Sequence, residues 1–151
     1  MQLFCFASKN LENIQRGIDA RLWAVASVSD SSMKGRKTKA RRYFGSGAHG
    51  LLYCSANHKF TTPFISTSDA DPSKVITDIW PEPWVLPFSI EPLGDLSKQI
   101  PADLAKELWP DLKMDGAGGI TGAMNLTGAQ VFAPKQITDA DWRLILEALA
   151  V

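Results

Sequence analysis

LFCFASKNLENIQRGIDARLWAVA, Leu3 to Ala26, is the stretch from which the fold is read. LFCFA is a short aromatic and apolar run suited to a buried central strand, and it ends at Ser8. Asn10 is a good N-cap, and Leu11, Ile14, Ile18 and Leu22 fall at i, i+3, i+7 and i+11, the spacing of one apolar helix face. Glu12, Asn13, Gln15, Arg16 and Asp19 occupy the polar face. LWAVASV, Leu22 to Val28, then reads as a second strand, so the chain opens strand, helix, strand.

The next stretch carries the chemistry. Between Lys34 and Arg42 stand six basic residues, Lys34, Arg36, Lys37, Lys39, Arg41 and Arg42, and no acidic residue occurs from Ser31 through Ser68. A charge run is often only a solvated surface. Six cations within nine residues, without acidic partners and in a chain whose formal net charge is zero, exceed what solubility asks for and point to phosphate contact. The remainder compensates: residues 69–151 hold six Lys/Arg against thirteen Asp/Glu, so the surface is expected to be dipolar, with one basic face. The clustered Ser, Gly and Lys of Ser29 to Lys37 predict a mobile loop, and Lys39 to Phe44 a helical turn.

Farther along, Leu51 to Ser55 reads as a strand, Ala56 to Lys59 as a turn, and FTTPFIST as its antiparallel neighbour, which Pro63 restricts to an edge or a bulge. SDADPS, Ser68 to Ser73, is a turn. Trp84, Leu86, Phe88 and Ile90 alternate with Val85, Pro87, Ser89 and Glu91, the period of a half-buried strand. PADLAKELW predicts a helix with Pro101 at its first position, stopped by Pro110. Met114 to Gly128 contains five of the eleven glycines and is expected to be mobile or ligand-facing. QVFAP suggests a last strand, and Thr138 with Asp141 a capping box ahead of a helix whose apolar face is Trp142, Ile145, Leu146 and Leu149.

Composition bounds the function. With 151 residues, 45% hydrophobic and 21% charged, the chain is expected to form one domain over 1–151 with a real core. Cys5 and Cys54 lie in apolar runs and read as buried free thiols. With no basic n-region before the first apolar run and no apolar run of membrane-spanning length, a cytoplasmic location is expected. His49 and His58 show no metal-ligand spacing, GSGAHG is not followed by the Lys-Ser/Thr of a phosphate loop, and no nucleophile elbow is present. No catalytic residue, metal site or cofactor is expected.

Five tryptophans in such a chain are core by default, and Trp109 and Trp142 fit that reading. Trp80 and Trp84 differ because they bracket Pro81, Glu82 and Pro83 in IWPEPW, a rigid loop suited to mounting an exposed ring. Trp80 is the better placed to project, and Trp84 also starts the alternating strand. An aromatic platform beside a cationic surface holds a base by its flat face, and a base rotated out of the helix supplies the specificity that phosphate contacts lack.

The opening stretch resembles the start of the YTH and EVE domains of the PUA-like superfamily: the aromatic strand LFCFA, the pair Ser8-Lys9, a short helix, and Trp23 beginning the next strand. GLLYCSANHKF, IWPEPWVLPFSIEPLG and QVFAPKQITDADWRLILEAL are similar to later segments, the last of them favouring EVE. The resemblance implies an α+β fold with a curved, barrel-like sheet flanked by helices. It also implies a non-enzymatic reader that holds a flipped modified base between Trp23 and Trp80 or Trp84, with Ser8, Lys9 and the backbone near Ala24 reading the base edge and the basic tract on phosphates. The expected ligand is 5-methylcytosine or 5-hydroxymethylcytosine in duplex DNA, and the expected setting is a modification-dependent restriction system with a fused or partnered nuclease domain. The rival readings are an RNA reader of a methylated base, a small nucleic-acid-processing enzyme of related fold, and a protein-interaction module.

Overall fold

The computed structural model describes residues 1–116 and 118–151, so Ala117 of the glycine-rich stretch lies outside the described residues. Among the described residues the order is β1 (Gln2–Ser8), α1 (Leu11–Ala20), β2 (Leu22–Ala26), α2 (Asp30–Tyr43), β3 (His49–Cys54), β4 (Lys59–Ser66), β5 (Val75–Ile76), β6 (Trp84–Pro92), β7 (Ile100–Pro101), α3 (Ala102–Leu108), α4 (Gly119–Ala123), β8 (Lys135–Gln136) and α5 (Asp139–Leu149). The strands form one open, curved sheet in the order β2-β6-β4-β3-β1-β8, with β5 added to β6 and β7 to β4. β1 and β3 run parallel, from Leu3 opposite His49 to Ser8 opposite Cys54, and the segment α1-β2-α2 makes the crossover between them. This is the expected α+β architecture.

Alternation along β1 explains the layering. Leu3 and Cys5 enter a core with Trp109, Ile145 and Leu149, while Phe4 and Phe6 enter a second core with Trp23, Phe44, Phe64 and Phe88. β1 is therefore covered on both faces, which is why it reads as an unbroken apolar run. Burial pushes the Cys5 thiol up to about 12, so it stays protonated and unreactive. Ser8 shares the parity of Phe4 and Phe6 and emerges at the end of the strand on their side of the sheet.

Three local expectations are corrected, and of the two alternatives at Pro63, edge or bulge, the bulge is the one present. The segment Ser29–Lys37 is not a loop: Ser29 caps α2, Asp30 sits in its first turn, Arg41 and Arg42 in its last, and Met33, Arg36 and Ala40 form its inward stripe. β4 is an interior strand, and Pro63 is tolerated there because β7 pairs with Lys59 and Phe60 while β6 takes over only from Phe64. The missing N–H falls where the ladder changes partner, beside the bulge toward β3 between Leu51 and Tyr53. Pro101 is the N-cap of α3, not its first helical residue. QVFAP is not extended throughout, since Phe132 adopts φ 74° and the last strand is Lys135–Gln136. The Thr138–Asp141 capping box is present, with both reciprocal hydrogen bonds.

Several glycines set close approaches, Gly17 and Gly35 among them. A Cβ on Gly17 would stand 2.7 Å from Cε3 of Trp23, and one on Gly35 would stand 2.7 Å from Cβ of Ala129. The first lets α1 lie directly on the Trp23 ring, and the second seats α2 on the turn at 128–130. Gly17→Ala should therefore lose about 1 kcal/mol, instead of gaining the ~1 kcal/mol usual for helix glycines, because overpacking costs ~1–3 kcal/mol. A thermal melt should show a fall of about 2–4 °C. An unchanged or raised midpoint would mean that the ring moves aside freely.

Candidate nucleic-acid interface

A cavity of about 570 Å³ opens where the end of β1, the first turns of α1, the end of β2, the middle of α2 and the segment Leu126–Gly128 converge. This is an ordinary size for a small-molecule or base pocket. Of the residues expected to read a base edge, Ser8, Lys9 and Ala24 all line it. Ser8 is 6% exposed and its hydroxyl is buried without a hydrogen-bond partner among the described residues. An unsatisfied buried hydroxyl costs ~1–3 kcal/mol, which a ligand with a complementary donor or acceptor recovers.

The tryptophans gather as the sequence suggests, in a different arrangement. Trp80 and Trp84 stack on each other with centroids 4.2 Å apart and planes 18° apart. Trp23 meets both edge-on, at 5.8 Å from Trp80 and 5.4 Å from Trp84. Trp23 is 0% exposed and lies behind the cavity without lining it. Trp80 does not project from the rigid loop: it is 3% exposed, because its Nε1 donates to the Asn13 carbonyl at 2.9 Å and its face is covered by Trp84. Trp84, itself buried at 7% exposure, is the tryptophan that lines the cavity, with Pro81 and Glu82 of the same loop also lining it. Its position follows from β6, which is bulged against β2 between Trp23 and Val25 and turned at Leu86, whose φ is 56°.

The basic tract divides into two kinds of residue. Arg36 is 6% exposed, donating from Nε to Gly128 O and from Nη1 to Ala26 O, both at 2.8 Å. It lines the cavity as a clip joining α2, β2 and the Leu126–Gly128 wall, so its expected role on an open phosphate surface is corrected. Burial lowers the Arg36 pKa from a value so high that the guanidinium remains charged at neutral pH. Lys34, Lys37 and Arg41 fall at i, i+3 and i+7 on an exposed face, with Arg42 exposed beside them and Lys39 half-buried on another side. No carboxylate of the described residues forms a salt bridge with any of the six.

Asn10, expected as a cap, and Asn13 and Arg16, expected on the polar face of α1, all line the cavity. Asn10 Oδ1 accepts from the Asn13 amide at 2.9 Å, and Asn13 Oδ1 accepts from Arg16 Nη1 at 3.2 Å. The donor half of the Asn13 carboxamide is thus what remains to meet a ligand. Their proximity in sequence to Ser8 and Lys9 was the available signal. Leu126, Thr127 and Gly128 belong to the glycine-rich stretch expected to be mobile or ligand-facing, and they line the cavity. Among the described residues no group of three or more His, Cys, Asp or Glu is placed to hold a metal ion, and no helix is long and apolar enough to cross a membrane.

No family model matches the chain, and no curated protein matches it. Solved structures do. The YTH domain of Zygosaccharomyces rouxii MRB1, in complex with N6-methyladenosine RNA, is similar with a TM-score of 0.58 and 18% identity, covering 97% of this chain and 84% of that one. The Mmi1 YTH domain in complex with RNA gives 0.59 at 13% identity, over 97% and 77% of the two chains. Rpa0253 from Rhodopseudomonas palustris gives 0.58 at 15% identity, over 98% and 92%. The open curved sheet with its flanking helices is thus the fold seen in these YTH domains.

Proposed function

We infer that residues 1–151 act as one non-enzymatic module that reads a modified base in nucleic acid. The observation that carries this reading is the cavity itself: a stacked tryptophan pair presents Trp84 to a space that also holds the unpartnered Ser8 hydroxyl, Asn13 and the Arg36 guanidinium. Apolar ring surface with a few convergent polar groups suits a flat heterocycle carrying hydrogen-bonding edges. The fold supports the reading from outside, since one structure that shares it is a complex with N6-methyladenosine RNA and another a complex with m6A. No step of covalent chemistry is required of any lining residue.

The finer assignment follows the EVE resemblance: a flipped 5-methylcytosine or 5-hydroxymethylcytosine in duplex DNA, with the chain serving as specificity module beside a nuclease. A second reading, N6-methyladenosine in RNA, is favoured by the bound RNA of two YTH structures, in one of them N6-methyladenosine RNA. Binding of the purified chain to matched duplex DNAs and single-stranded RNAs, each differing only at one modified base, separates them. A preference of tenfold or more for one modified oligonucleotide over its unmodified twin is expected. Equal affinity for every modified and unmodified pair would sink the proposal.

The exposed cations supply affinity without specificity. Each phosphate contact contributes about −0.9 to the slope of log affinity against log salt for duplex DNA and about −0.7 for a single strand. Replacing Lys34, Lys37 and Arg41 together by glutamine should reduce the slope by about 2–3 and weaken modified and unmodified oligonucleotides alike. Titrations between low and moderate salt measure this directly. An unchanged slope would remove that face of α2 from the interface.

A further inference from the structure

The second depression of the surface lies at the other end of α2. It measures about 410 Å³ and lies among Gln2, Arg42, Tyr43, the Gly45–Ala48 turn and His49. Tyr43 is 38% exposed, one of the few large apolar side chains on the surface, and the Arg42 guanidinium stands over its ring at 5.2 Å from the centroid. An arginine held on an aromatic face forms a flat cationic surface of the kind that stacks on bases and meets phosphates. Ser46 adds a hydroxyl at the rim. His49 is held below its ordinary pKa by burial and packs edge-on to Trp142, so it contributes a neutral polar edge at neutral pH.

Two elements connect this groove to the base cavity. Along α2, Arg36, Lys39 and Tyr43 fall at i, i+3 and i+7, so the helix side that begins at the cavity ends at the groove, with a cation between. Along β1, Gln2 lines the groove and Ser8 lines the cavity, and the two share strand parity. The separation lies between about 10 Å, the rise of seven helical residues, and about 20 Å, the length of six strand residues. At ~3.4 Å per stacked nucleotide that is about three to six nucleotides.

We propose that the Arg42–Tyr43 groove is a second nucleotide subsite, taking a base and phosphate of the same strand about three to six nucleotides from the base held in the cavity. The proposal rests on the base-reading function above and extends it. Tyr43 stacks the flanking base, Arg42 meets its phosphate, and Lys39 tracks the backbone between. The cavity reads the modification, and the groove adds affinity and strand direction.

The test uses the full chain and a series of oligonucleotides bearing the preferred modified base: a single nucleotide, and chains extended by six nucleotides on one side, on the other, or on both. For the wild type, extension on one side should raise affinity about tenfold or more beyond what the other side gives, as expected from stacking one base. Tyr43→Ala should lose that one-sided gain while binding the single modified nucleotide as before, and Tyr43→Phe should restore it. Arg42→Gln should lower the salt slope of the extended oligonucleotide by about one. A one-sided gain that survives Tyr43→Ala overturns the subsite, as does a Tyr43→Ala defect equal for the single nucleotide and the extended chains. If the wild type fails to prefer modified bases yet still shows a Tyr43-dependent gain, the subsite stands and the base-reading function falls.

Discussion

Trp23→Ala should cost about 3–5 kcal/mol of folding stability and lower the thermal midpoint by about 10 °C, the effect of emptying a large buried site. The ring is 0% exposed, touches Trp80 and Trp84 edge-on, and presses on the glycine face of α1 at Gly17. Its loss removes the backing of both stacked rings. One term acts in the other direction: Trp23 Nε1 is buried without a partner among the described residues, and deleting it relieves a penalty of ~1–3 kcal/mol. The net cost should therefore sit toward the lower end of the range. Trp23→Phe, which keeps a ring and removes the unpaired N–H, should cost clearly less. With total stability of a domain at ~5–15 kcal/mol, the alanine variant remains folded at low temperature. Urea denaturation provides the number. A variant of unchanged stability that has lost base discrimination would make Trp23 a pocket wall after all.

Trp84→Leu should have the largest effect on recognition. Trp84 is the tryptophan that lines the cavity, and one base stacked on an aromatic ring is worth ~1–3 kcal/mol. Preference for the modified oligonucleotide should therefore fall by about five- to a hundredfold, while salt-sensitive binding through Lys34, Lys37 and Arg41 persists. Leucine keeps part of the apolar volume beneath Trp80, and a melt of the free protein separates loss of fold from loss of stacking. Trp84→Phe should retain part of the preference. A Trp84→Leu protein that melts near wild type and still discriminates modified bases would show that the ligand does not use this ring.

The contrast between these two tryptophans shows what the sequence could carry. The order strand, helix, strand over Leu3 to Ala26 was legible because period, cap and strand run agree there, and Asn10 caps α1 as the pattern demands. Arg36 was not legible as an inward residue, since apolar periodicity counts arginine as surface, and here two backbone carbonyls satisfy it at a core position. The same residue hid α2, whose inward stripe of Met33, Arg36 and Ala40 carries little apolar signal.

Trp80 was misplaced for a related reason. A proline-bracketed loop does predict rigidity, but rigidity served to bury the ring against Trp84 and Asn13. The cavity-lining Asn13 and Arg16 were invisible because a helix face that turns toward a cavity has the same composition as one that turns toward water. Of the six residues expected at one pocket, Ser8, Lys9, Ala24 and Trp84 line the cavity, and Trp23 and Trp80 do not. The central claim is that this cavity receives a base.

Amide and indole chemical-shift mapping of the isotope-labelled chain against a modified oligonucleotide and its unmodified twin tests it most directly. The base-reading account predicts modification-specific shifts at Ser8, Asn13, the Trp84 indole N–H and Leu126–Gly128, alongside shifts at Lys34, Lys37 and Arg41 common to both oligonucleotides. Shifts confined to the cationic face of α2, identical for the two, would contradict it.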